Sequence, residues 1–226
     1  MFLYKMRIFR KKHRKAMKIM SVLSEFKNLS QSKVLDVGCG KGIISSNIGN
    51  FSKKIIGVDI EDRRVVKEGY KFQLVKDEKL PFNNSHFDIV ISNQVIEHVN
   101  NQDNHIKEIC RVLKKDGVCY LATPNRYWPI EPHYYLPFLG ILPNRLANFY
   151  LRIFINKDYD VKLLSYYNLI KKLKKYFIIK NFTFEVVKNP KKYHLERGYR
   201  VIPLFLVSNL IFECFVPSFI LVLRKR

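Results

Sequence analysis

A glycine-rich turn at residues 34–42 has the residue types and spacing best suited to chemistry. Its sequence, VLDVGCGKG, indicates a short buried strand that enters a tight turn and then opens a helix. Glycine suits this turn because the backbone bends sharply and then approaches a ligand closely, which a Cβ atom would prevent. The spacing is GxGxG, and Ile43 stands where the dinucleotide-binding pattern GxGxxG would have its third glycine. Alone, the turn is a weak signal, because ordinary strand-to-helix connections also use glycine.

Polar side chains stand at the ends of the next predicted strands. Asp59 closes the second strand, Asp77 follows the third and Asn93 follows the fourth. Because the carboxyl ends of parallel strands meet at one rim, these side chains and the glycine turn should border the same crevice. A carboxylate at the position of Asp59 can accept hydrogen bonds from both hydroxyls of a ribose. Four polar elements therefore stand at the carboxyl ends of four consecutive strands, where open α/β sheets bind ligands.

The elements that position these residues alternate between apolar runs and stretches of helical spacing, as βαβ units do. Strands are predicted at residues 34–37, 55–60, 72–75, 87–92, 118–123, 182–187 and 218–223. Helices are predicted at residues 43–51, 105–113 and 166–177. We expect a basic N-terminal helix within residues 1–32 and a single domain at 33–226. That domain would include a lid insertion at 125–165 and an apolar helix at 201–216 before the last strand.

Four segments resemble successive motifs of the class I S-adenosylmethionine-dependent methyltransferases, in the type 11 group that includes ubiquinone and menaquinone biosynthesis enzymes. They are VLDVGCGKG, IIGVDI, KDEKLPFNNSHFDIVISNQVIEHV and LKKDGVCYLATPN, and the resemblance covers about residues 25–125 well. It implies S-adenosylmethionine as the cofactor. It also implies an α/β fold with a Rossmann-like, doubly wound sheet of seven strands, the last antiparallel, and helices on both faces.

The resemblance assigns the methionine side of the cofactor to residues of the first and third motifs. Asp36, Gly38 and Gly40 would border the methionine moiety, with Cys39 between the two glycines in the same turn. Asn93 would lie beside the methionine part from the end of the fourth strand.

The adenosine side of the cofactor is assigned in the same way. Asp59 would hold the ribose hydroxyls, and Ile60 would lie against the adenine. Asp77 would meet the adenine amino group, and Glu78 beside it completes the expected cofactor-binding set.

Two histidines are candidate catalytic residues. Methyl transfer from a sulfonium mainly needs orientation and exclusion of water, and a base helps only when the acceptor is an oxygen or carbon acid. His98 is expected to begin the helix after the fourth strand, close to the methyl position, and His133 follows the fifth strand in a loop with Glu131. Structural roles are the alternatives: Glu97 and His98 would fix the helix start, and His133 would belong to a cap.

A metal ion is not expected at this site. Some relatives with a similar EHV sequence bind a divalent metal through two carboxylates and histidines. Here Gln94 occupies the position of the earlier carboxylate, so we predict that the site binds no metal.

The formal net charge of +22 is concentrated at the two ends of the chain. Residues 1–32 hold 9 Lys and Arg against 1 acidic residue, residues 33–125 hold 14 against 12, and residues 126–226 hold 18 against 6. Basic flanks attract anionic membrane surfaces or phosphate-rich polymers, although a composition bias with solvated charges is an alternative explanation. Apolar residues interleaved in the N-terminal helix suit an anionic membrane surface, and a cap over the cofactor site is the competing interpretation.

Cysteine usage and the N-terminus bear on location. The four cysteines are scattered without CxxC pairing, and residues 1–20 lack the continuous apolar stretch of a secretory signal. We expect a cytoplasmic protein, with a peripheral position at the inner face of the membrane as the alternative. Residues 201–223 are long enough for a membrane span, but Glu213, Pro203 and Pro217 favour a half-buried helix followed by a strand, with an inserted or interfacial segment as the alternative.

The expected function is methyl transfer to a small or lipid-linked acceptor, by O- or C-methylation. The apolar lid and the apolar segment after residue 200 favour a partly apolar acceptor. One alternative is an RNA or protein methyltransferase that uses the basic flanks, but no RNA-binding module and no NPPY-like tetrapeptide is evident, so nucleic acid is the less expected partner. The other alternative is a non-catalytic protein that binds the cofactor on the same scaffold.

Overall fold

The computed structural model describes residues 2–52, 54–195 and 216–226, and its centre is one sheet of seven strands. The strands are β1 (Val34–Val37), β2 (Ile55–Asp59), β3 (Lys71–Leu74), β4 (Phe87–Asn93), β5 (Leu113–Pro124), β6 (Phe177–Asn181) and β7 (Ser218–Lys225). Their order is β3-β2-β1-β4-β5-β7-β6. β7 runs antiparallel to both β5 and β6, and the other pairs are parallel. The predicted seven-stranded sheet with an antiparallel last strand is confirmed.

Helices cover both faces of this sheet, as predicted. They are α1 (Phe2–Leu23), α2 (Ile43–Gly49), α3 (Gln102–Val112), α4 (Asn144–Ile155), α5 (Tyr166–Leu173) and α6 (Thr183–Lys188). Successive side chains of a strand point to opposite faces. Cys119 and Leu121 of β5 therefore join the core under α3 and α5, whereas Val118 and Tyr120 join the core under α1, α2 and α6. Because both faces of the sheet are buried, the central strands are almost continuously apolar.

The predicted sixth strand at residues 182–187 is wrong. The chain forms β6 five residues earlier, the predicted helix 166–177 ends at Leu173, and residues 183–188 form α6. Phe182, Phe184 and Val186 alternate with more polar residues over a window too short to separate a strand from a helix. The Thr183 N–H donates to Asn181 Oδ1 at 3.0 Å, which turns the chain out of the sheet. Thr183 and Val186, three residues apart, then share the buried side of α6.

The expected position of His98 at the start of a helix is also wrong. Residues 96–98 form a turn, with the His98 N–H bonded to the Val95 carbonyl at 2.8 Å. The helix α3 begins at Gln102, where the Asn101 side chain caps it by accepting the Asn104 N–H at 3.0 Å. An asparagine cap satisfies a backbone donor that the first helical turn leaves free, so the helix start is fixed there.

The segment between β5 and α5 contains α4 and a short 3-10 turn at Leu139–Ile141. Leu139, Ala147 and Leu151 form a small separate core there. Within the described residues, every helix is too short or too polar to cross a membrane. The predicted apolar helix at 201–216 lies outside the described residues except for Val216, which is buried.

Candidate active site

The glycine turn after β1 needs its two glycines for different reasons. Gly38 and Gly40 have φ angles of 68° and 53°, a left-handed conformation that glycine adopts without a Cβ clash. A Cβ atom on Gly38 would lie 2.6 Å from Val95 Cγ2, so this glycine permits close packing. A Cβ atom on Gly40 would meet no atom of the described chain within 4 Å, so this backbone borders open space. Gly40 is therefore the position at which a ligand can approach the main chain.

The carboxylate of Asp59 lies against this turn. Its Oδ2 atom accepts the Gly40 N–H at 2.7 Å, and its Oδ1 atom accepts the Ile60 N–H at 2.8 Å. The side chain of Ile60 is 64% exposed beside it. An acceptor for ribose hydroxyls, an apolar surface for a base and an open glycine backbone thus stand together at the ends of β1 and β2. These residues fit an adenosine-containing cofactor.

Asp36 and Cys39 lie beneath the turn. The buried Asp36 carboxylate accepts a hydrogen bond from Ser45 Oγ on α2 at 2.5 Å, and burial raises its pKa to about 7. Cys39 is buried as well, and its N–H bonds to the Val58 carbonyl at 3.0 Å. Burial raises the pKa of the Cys39 thiol to about 12, so the thiol stays protonated near neutral pH. Both side chains shape the turn, and direct contact with the cofactor remains a prediction.

The other predicted cofactor residues lie on the same rim. Asn93 ends β4, which neighbours β1, and Asp77 is an exposed residue just after β3. Glu78 has a structural partner, because its Oε1 atom accepts the N–H groups of Asn100 at 2.8 Å and Asn101 at 3.1 Å. Glu78 thus holds the loop that leads into α3, and ligand contacts of all three residues remain predictions.

The basic helix α1 passes over this rim. Lys15 Nζ donates to the Gln94 side-chain oxygen at 2.5 Å. Lys12 is half-buried, and burial together with the charge of Lys41 lowers its pKa, while Asp36 and Asp59 oppose that change. For this part of α1, the contacts favour the cap over the cofactor site rather than a membrane-facing position.

The two predicted catalytic histidines meet beyond the ends of β4 and β5. The rings of His98 and His133 lie edge to face with centroids 4.8 Å apart. His133 Nδ1 lies 2.6 Å from Glu131 Oε1, and Glu131 Oε2 accepts the N–H groups of His133 and Tyr134, each at 2.8 Å. The Glu131 side chain is fully buried. This is the arrangement of a histidine base oriented by a buried carboxylate.

The electrostatic surroundings shift the pKa values of the two histidines in opposite directions. Burial is the largest single effect on His133 and opposes its charged form, but the hydrogen bond to Glu131 and the negative charges of Glu131, Glu97 and Asp160 together raise the His133 pKa. Burial and then the neighbouring His133 lower the pKa of His98. A proton shared at this site therefore resides on His133 in preference to His98.

Glu97 belongs to the same cluster and was missing from the predicted site residues. Its Oε2 atom accepts the Thr123 hydroxyl at 3.0 Å, and its buried Oε1 atom has no hydrogen-bond partner among the described residues. Burial raises the Glu97 pKa to about 7. Glu97, His98 and His133 each offer one possible ligand atom, and these atoms lie within 4.8 Å of one another, so this is the described cluster best placed to hold a cation. The sequence signal was a carboxylate in an otherwise apolar run beside a histidine.

Comparison with known proteins agrees with this geometry. A family model described as a methyltransferase domain matches residues 7–158, more than half of the chain. A ubiquinone biosynthesis O-methyltransferase from Pelagibacter ubique is 30% identical over 119 residues, which are 46% of this chain and 47% of that relative. The chain spans less than half the length of the ubiquinone biosynthesis O-methyltransferases that it matches from Pelagibacter ubique, Rattus norvegicus and Bos taurus.

Solved structures show the same fold. The YcgJ protein from Bacillus subtilis has a TM-score of 0.59 at 17% identity, over 94% of this chain and 99% of that chain. The [4+2]-cyclase SpnF has a TM-score of 0.55 at 15% identity, over 93% of this chain and 80% of that chain. Such a fold can serve more than one reaction, so the family rests on the sequence match. The chain belongs to the methyltransferase domain family, and this membership implies S-adenosylmethionine as its cofactor.

Proposed function

We propose that the chain transfers a methyl group from S-adenosylmethionine to a hydroxyl oxygen of a small or lipid-linked acceptor, with His133 as the general base. The observation that carries this proposal is the buried Glu131 carboxylate bonded to His133 Nδ1 at 2.6 Å, beside His98. An oxygen acceptor must lose a proton during methyl transfer, and a carboxylate-oriented imidazole supplies a base for it.

The cofactor supplies a methyl group on a sulfonium, whose leaving group is already good, so the protein mainly orients the acceptor and excludes water. Asp59 would accept hydrogen bonds from the ribose hydroxyls, and Ile60 would pack against the adenine. Gly40 would allow close approach of the cofactor to the main chain. These roles follow the open backbone at Gly40 and the exposed Ile60 side chain described above.

On the acceptor side, Nδ1 of His133 is held by Glu131, so Nε2 is the nitrogen that would take the acceptor proton. The resulting imidazolium would be stabilised by the Glu131 carboxylate. His98 packs against the same ring and would position it. Glu131, His98 and His133 thus form a base with a fixed tautomer and a fixed orientation.

The acceptor class is proposed from the relative and from the loop around His133. The Pelagibacter ubique protein is named for O-methylation in ubiquinone biosynthesis. Ubiquinone as a compound is a ring with an apolar tail. The lid next to His133 exposes Tyr127 and Ile130, which suit an apolar acceptor. We therefore favour a hydroxyl on an aromatic ring that carries an apolar chain, modified at or near the inner face of the cytoplasmic membrane.

The test measures cofactor binding and methyl transfer separately. Calorimetry with S-adenosylmethionine should show binding to the wild-type chain and a large loss of affinity in Asp59→Ala. Transfer of a radiolabelled methyl group to a prenylated dihydroxybenzene should fall about 100-fold or more in His133→Ala, the usual contribution of a general base. His194→Ala changes an exposed histidine far along the chain from these motifs and is the matched control.

Each negative result removes a different part of the proposal. Absence of S-adenosylmethionine binding by the folded wild-type chain would remove the cofactor assignment. Binding without transfer to any phenolic acceptor would favour a non-catalytic cofactor-binding protein. Transfer to RNA or to protein side chains, with none to the phenol, would favour the alternative that uses the basic flanks.

A further inference from the structure

Exposed apolar side chains concentrate in one segment of the described chain. Of the 16 large hydrophobic residues that are exposed, 10 lie between positions 127 and 155. Single exposed hydrophobic residues are normal on a protein surface, but a contiguous group marks an interaction site. The lid segment is therefore the part of the described surface that most strongly indicates an interaction site.

The helix α4 presents half of this group. Ala147 and Leu151 face inward, against the small core that includes Leu139. The opposite side exposes an apolar stripe, defined as Leu146 (54% exposed), Phe149 (66%) and Ile153 (61%), whereas Phe154 (62%) is exposed at the edge of the buried face. Leu146, Phe149 and Ile153 follow spacings of three and four residues, so they lie along one side of the helix. The stripe lies opposite the buried face, and the described part of the chain leaves it uncovered.

The charges on α4 identify the kind of partner. The helix contains Arg145 and Arg152 and no carboxylate. At 100° per residue, both arginines lie on the flank of α4 next to Phe149 and away from Ala147. Arg152 pairs with the exposed Asp158 at 2.7 Å, a contact that solvent screens. Apolar side chains bordered by arginines suit a lipid surface, because the rings and aliphatic groups enter the acyl boundary while the guanidinium groups meet anionic headgroups.

The lid connects this stripe to the histidine cluster. An isolated bridge pairs Ile130 with Pro137, and the Phe138 N–H bonds to the Pro129 carbonyl at 2.6 Å. These contacts close the loop that carries His133 and lead directly into the 3-10 turn before α4. A partner on α4 would thus lie next to the segment that is proposed to contact the acceptor.

We propose that the apolar stripe of α4 docks on an anionic lipid bilayer and presents the His133 side of the lid to acceptors held in that bilayer. This inference deepens the proposed function and rests on its lipid-linked acceptor. The stripe is a separate surface from the basic helix α1, whose Lys15 is engaged at the cofactor rim. Orientation would follow, because only one edge of the molecule would face the lipid.

Vesicle binding by the full chain tests the proposal without substrate or cofactor. The wild-type chain is sedimented with vesicles of phosphatidylcholine containing one quarter phosphatidylglycerol, and with vesicles of phosphatidylcholine alone. We expect binding to the anionic vesicles, with affinity at least about tenfold lower in Phe149→Ser/Ile153→Ser, since each side chain contributes a large apolar area. Tyr167→Ser/Ile178→Ser removes two equally exposed apolar side chains elsewhere and should bind as the wild type does.

A second measurement locates the contact directly. Trp128 is the single tryptophan of the chain, so Trp128→Phe/Phe149→Trp places the only indole on the stripe. Lipids brominated in the acyl chain should quench its fluorescence in anionic vesicles. The comparison variant Trp128→Phe/Tyr167→Trp should not be quenched.

Four outcomes would overturn the proposal. They are absence of binding to anionic vesicles by the wild-type chain, equal binding by Phe149→Ser/Ile153→Ser, a lower melting temperature in that variant, and a dimer in solution that the variant dissociates. The third would show that the stripe packs against this chain, and the fourth would assign it to a second copy. These assays do not measure methyl transfer, so they remain interpretable if the proposed reaction fails. Vesicle binding without methyl transfer would support the docking proposal and contradict the proposed reaction.

Discussion

The Nδ1 atom of His133 lies 2.6 Å from the Oε1 atom of Glu131, and the Glu131 side chain is completely buried. Two backbone N–H groups hold the other carboxylate oxygen. The carboxylate therefore has a fixed position, and the imidazole that it orients has a fixed position too. This pair gives the proposed base a pH dependence that can be measured.

The first prediction concerns the pH dependence of methyl transfer in Glu131→Gln. Because Glu131 raises the His133 pKa, the neutral base forms only as the pH rises through a value above the ordinary pKa of histidine. In Glu131→Gln the increase of kcat/KM with pH should occur at lower pH, because the charge that stabilises the protonated imidazole is gone. The plateau of kcat/KM should also fall, because the ring is less well oriented. The measurement is kcat/KM against pH for a phenolic acceptor.

The control for this experiment is Glu185→Gln, which changes a carboxylate that accepts a hydrogen bond from the nearby Asn189 side chain, far along the chain from the histidines. Its profile should coincide with that of the wild type. If Glu131→Gln kept the wild-type position of the rising limb, another group would be the base.

The second prediction separates the fold of the glycine turn from its ligand site. Gly40→Ala adds a Cβ atom that meets no described protein atom within 4 Å, so the variant should fold, with only the strain of its positive φ. The same Cβ atom should occupy ligand space and weaken S-adenosylmethionine binding about tenfold or more, roughly 1.4 kcal/mol or more. Calorimetry measures the binding, and urea unfolding measures the stability.

Gly69→Ala is the matched control, because Gly69 also has a positive φ and an added Cβ atom there has only ordinary contacts with Ser46. It should lose similar stability and keep cofactor affinity. Equal affinity in the Gly40 and Gly69 variants would show that the cofactor does not approach the main chain at Gly40.

The central sheet could be predicted from the sequence because its strands are buried on both faces and its turns are marked by glycine. Strand β1 matches its predicted bounds, and β2 and β4 each differ by one residue at one end. Strand β6 could not be identified in this way, because only Phe177 of its five residues is fully buried. A half-exposed strand near the sheet edge carries no continuous apolar run, and its position depends on pairing with β7 far along the chain.

The candidate site could also be predicted only in part. Residues after strands could be assigned to the rim, because topology alone brings strand ends together. The burial of Glu97 and Glu131 could not be predicted, since it depends on how the lid folds over the ends of β4 and β5. Residue types indicated the possible chemistry, whereas partners such as Thr123 for Glu97 required three-dimensional packing.

The third prediction concerns stability in Glu97→Gln. Burial raises the folded-state pKa of Glu97 to about 7 from an ordinary value near 4.5, so the folded chain binds more protons than the unfolded chain between these values. Stability therefore falls as the pH rises from about 4.5 to 7, by up to about 3 kcal/mol for this group. The Glu97→Gln variant has no such titration, because its side-chain amide stays neutral.

Urea unfolding at pH 5 and pH 8 on chelator-treated protein measures this effect. From pH 5 to pH 8, the free energy of unfolding of the wild type should fall by about 2 kcal/mol more than that of Glu97→Gln. Glu68→Gln removes an exposed carboxylate and should follow the wild type. An equal change in the free energy of unfolding for the wild type and Glu97→Gln would show that Glu97 is ionised and paired in the folded chain.

The last prediction is that methyl transfer needs no metal ion. Glu97, His98 and His133 offer three possible ligand atoms, but burial favours the protonated form of Glu97. Gln94 contributes a neutral amide that already accepts a hydrogen bond from Lys15. Any divalent cation would have to displace the Glu97 proton, and a hard cation such as Mg²⁺ would in addition meet only one carboxylate. Dialysis against EDTA should therefore leave the transfer rate unchanged, and added Mg²⁺ or Zn²⁺ should not raise it. A rate that EDTA abolishes and one of these ions restores, with loss of restoration in Glu97→Gln, would assign a metal to this cluster and contradict the prediction.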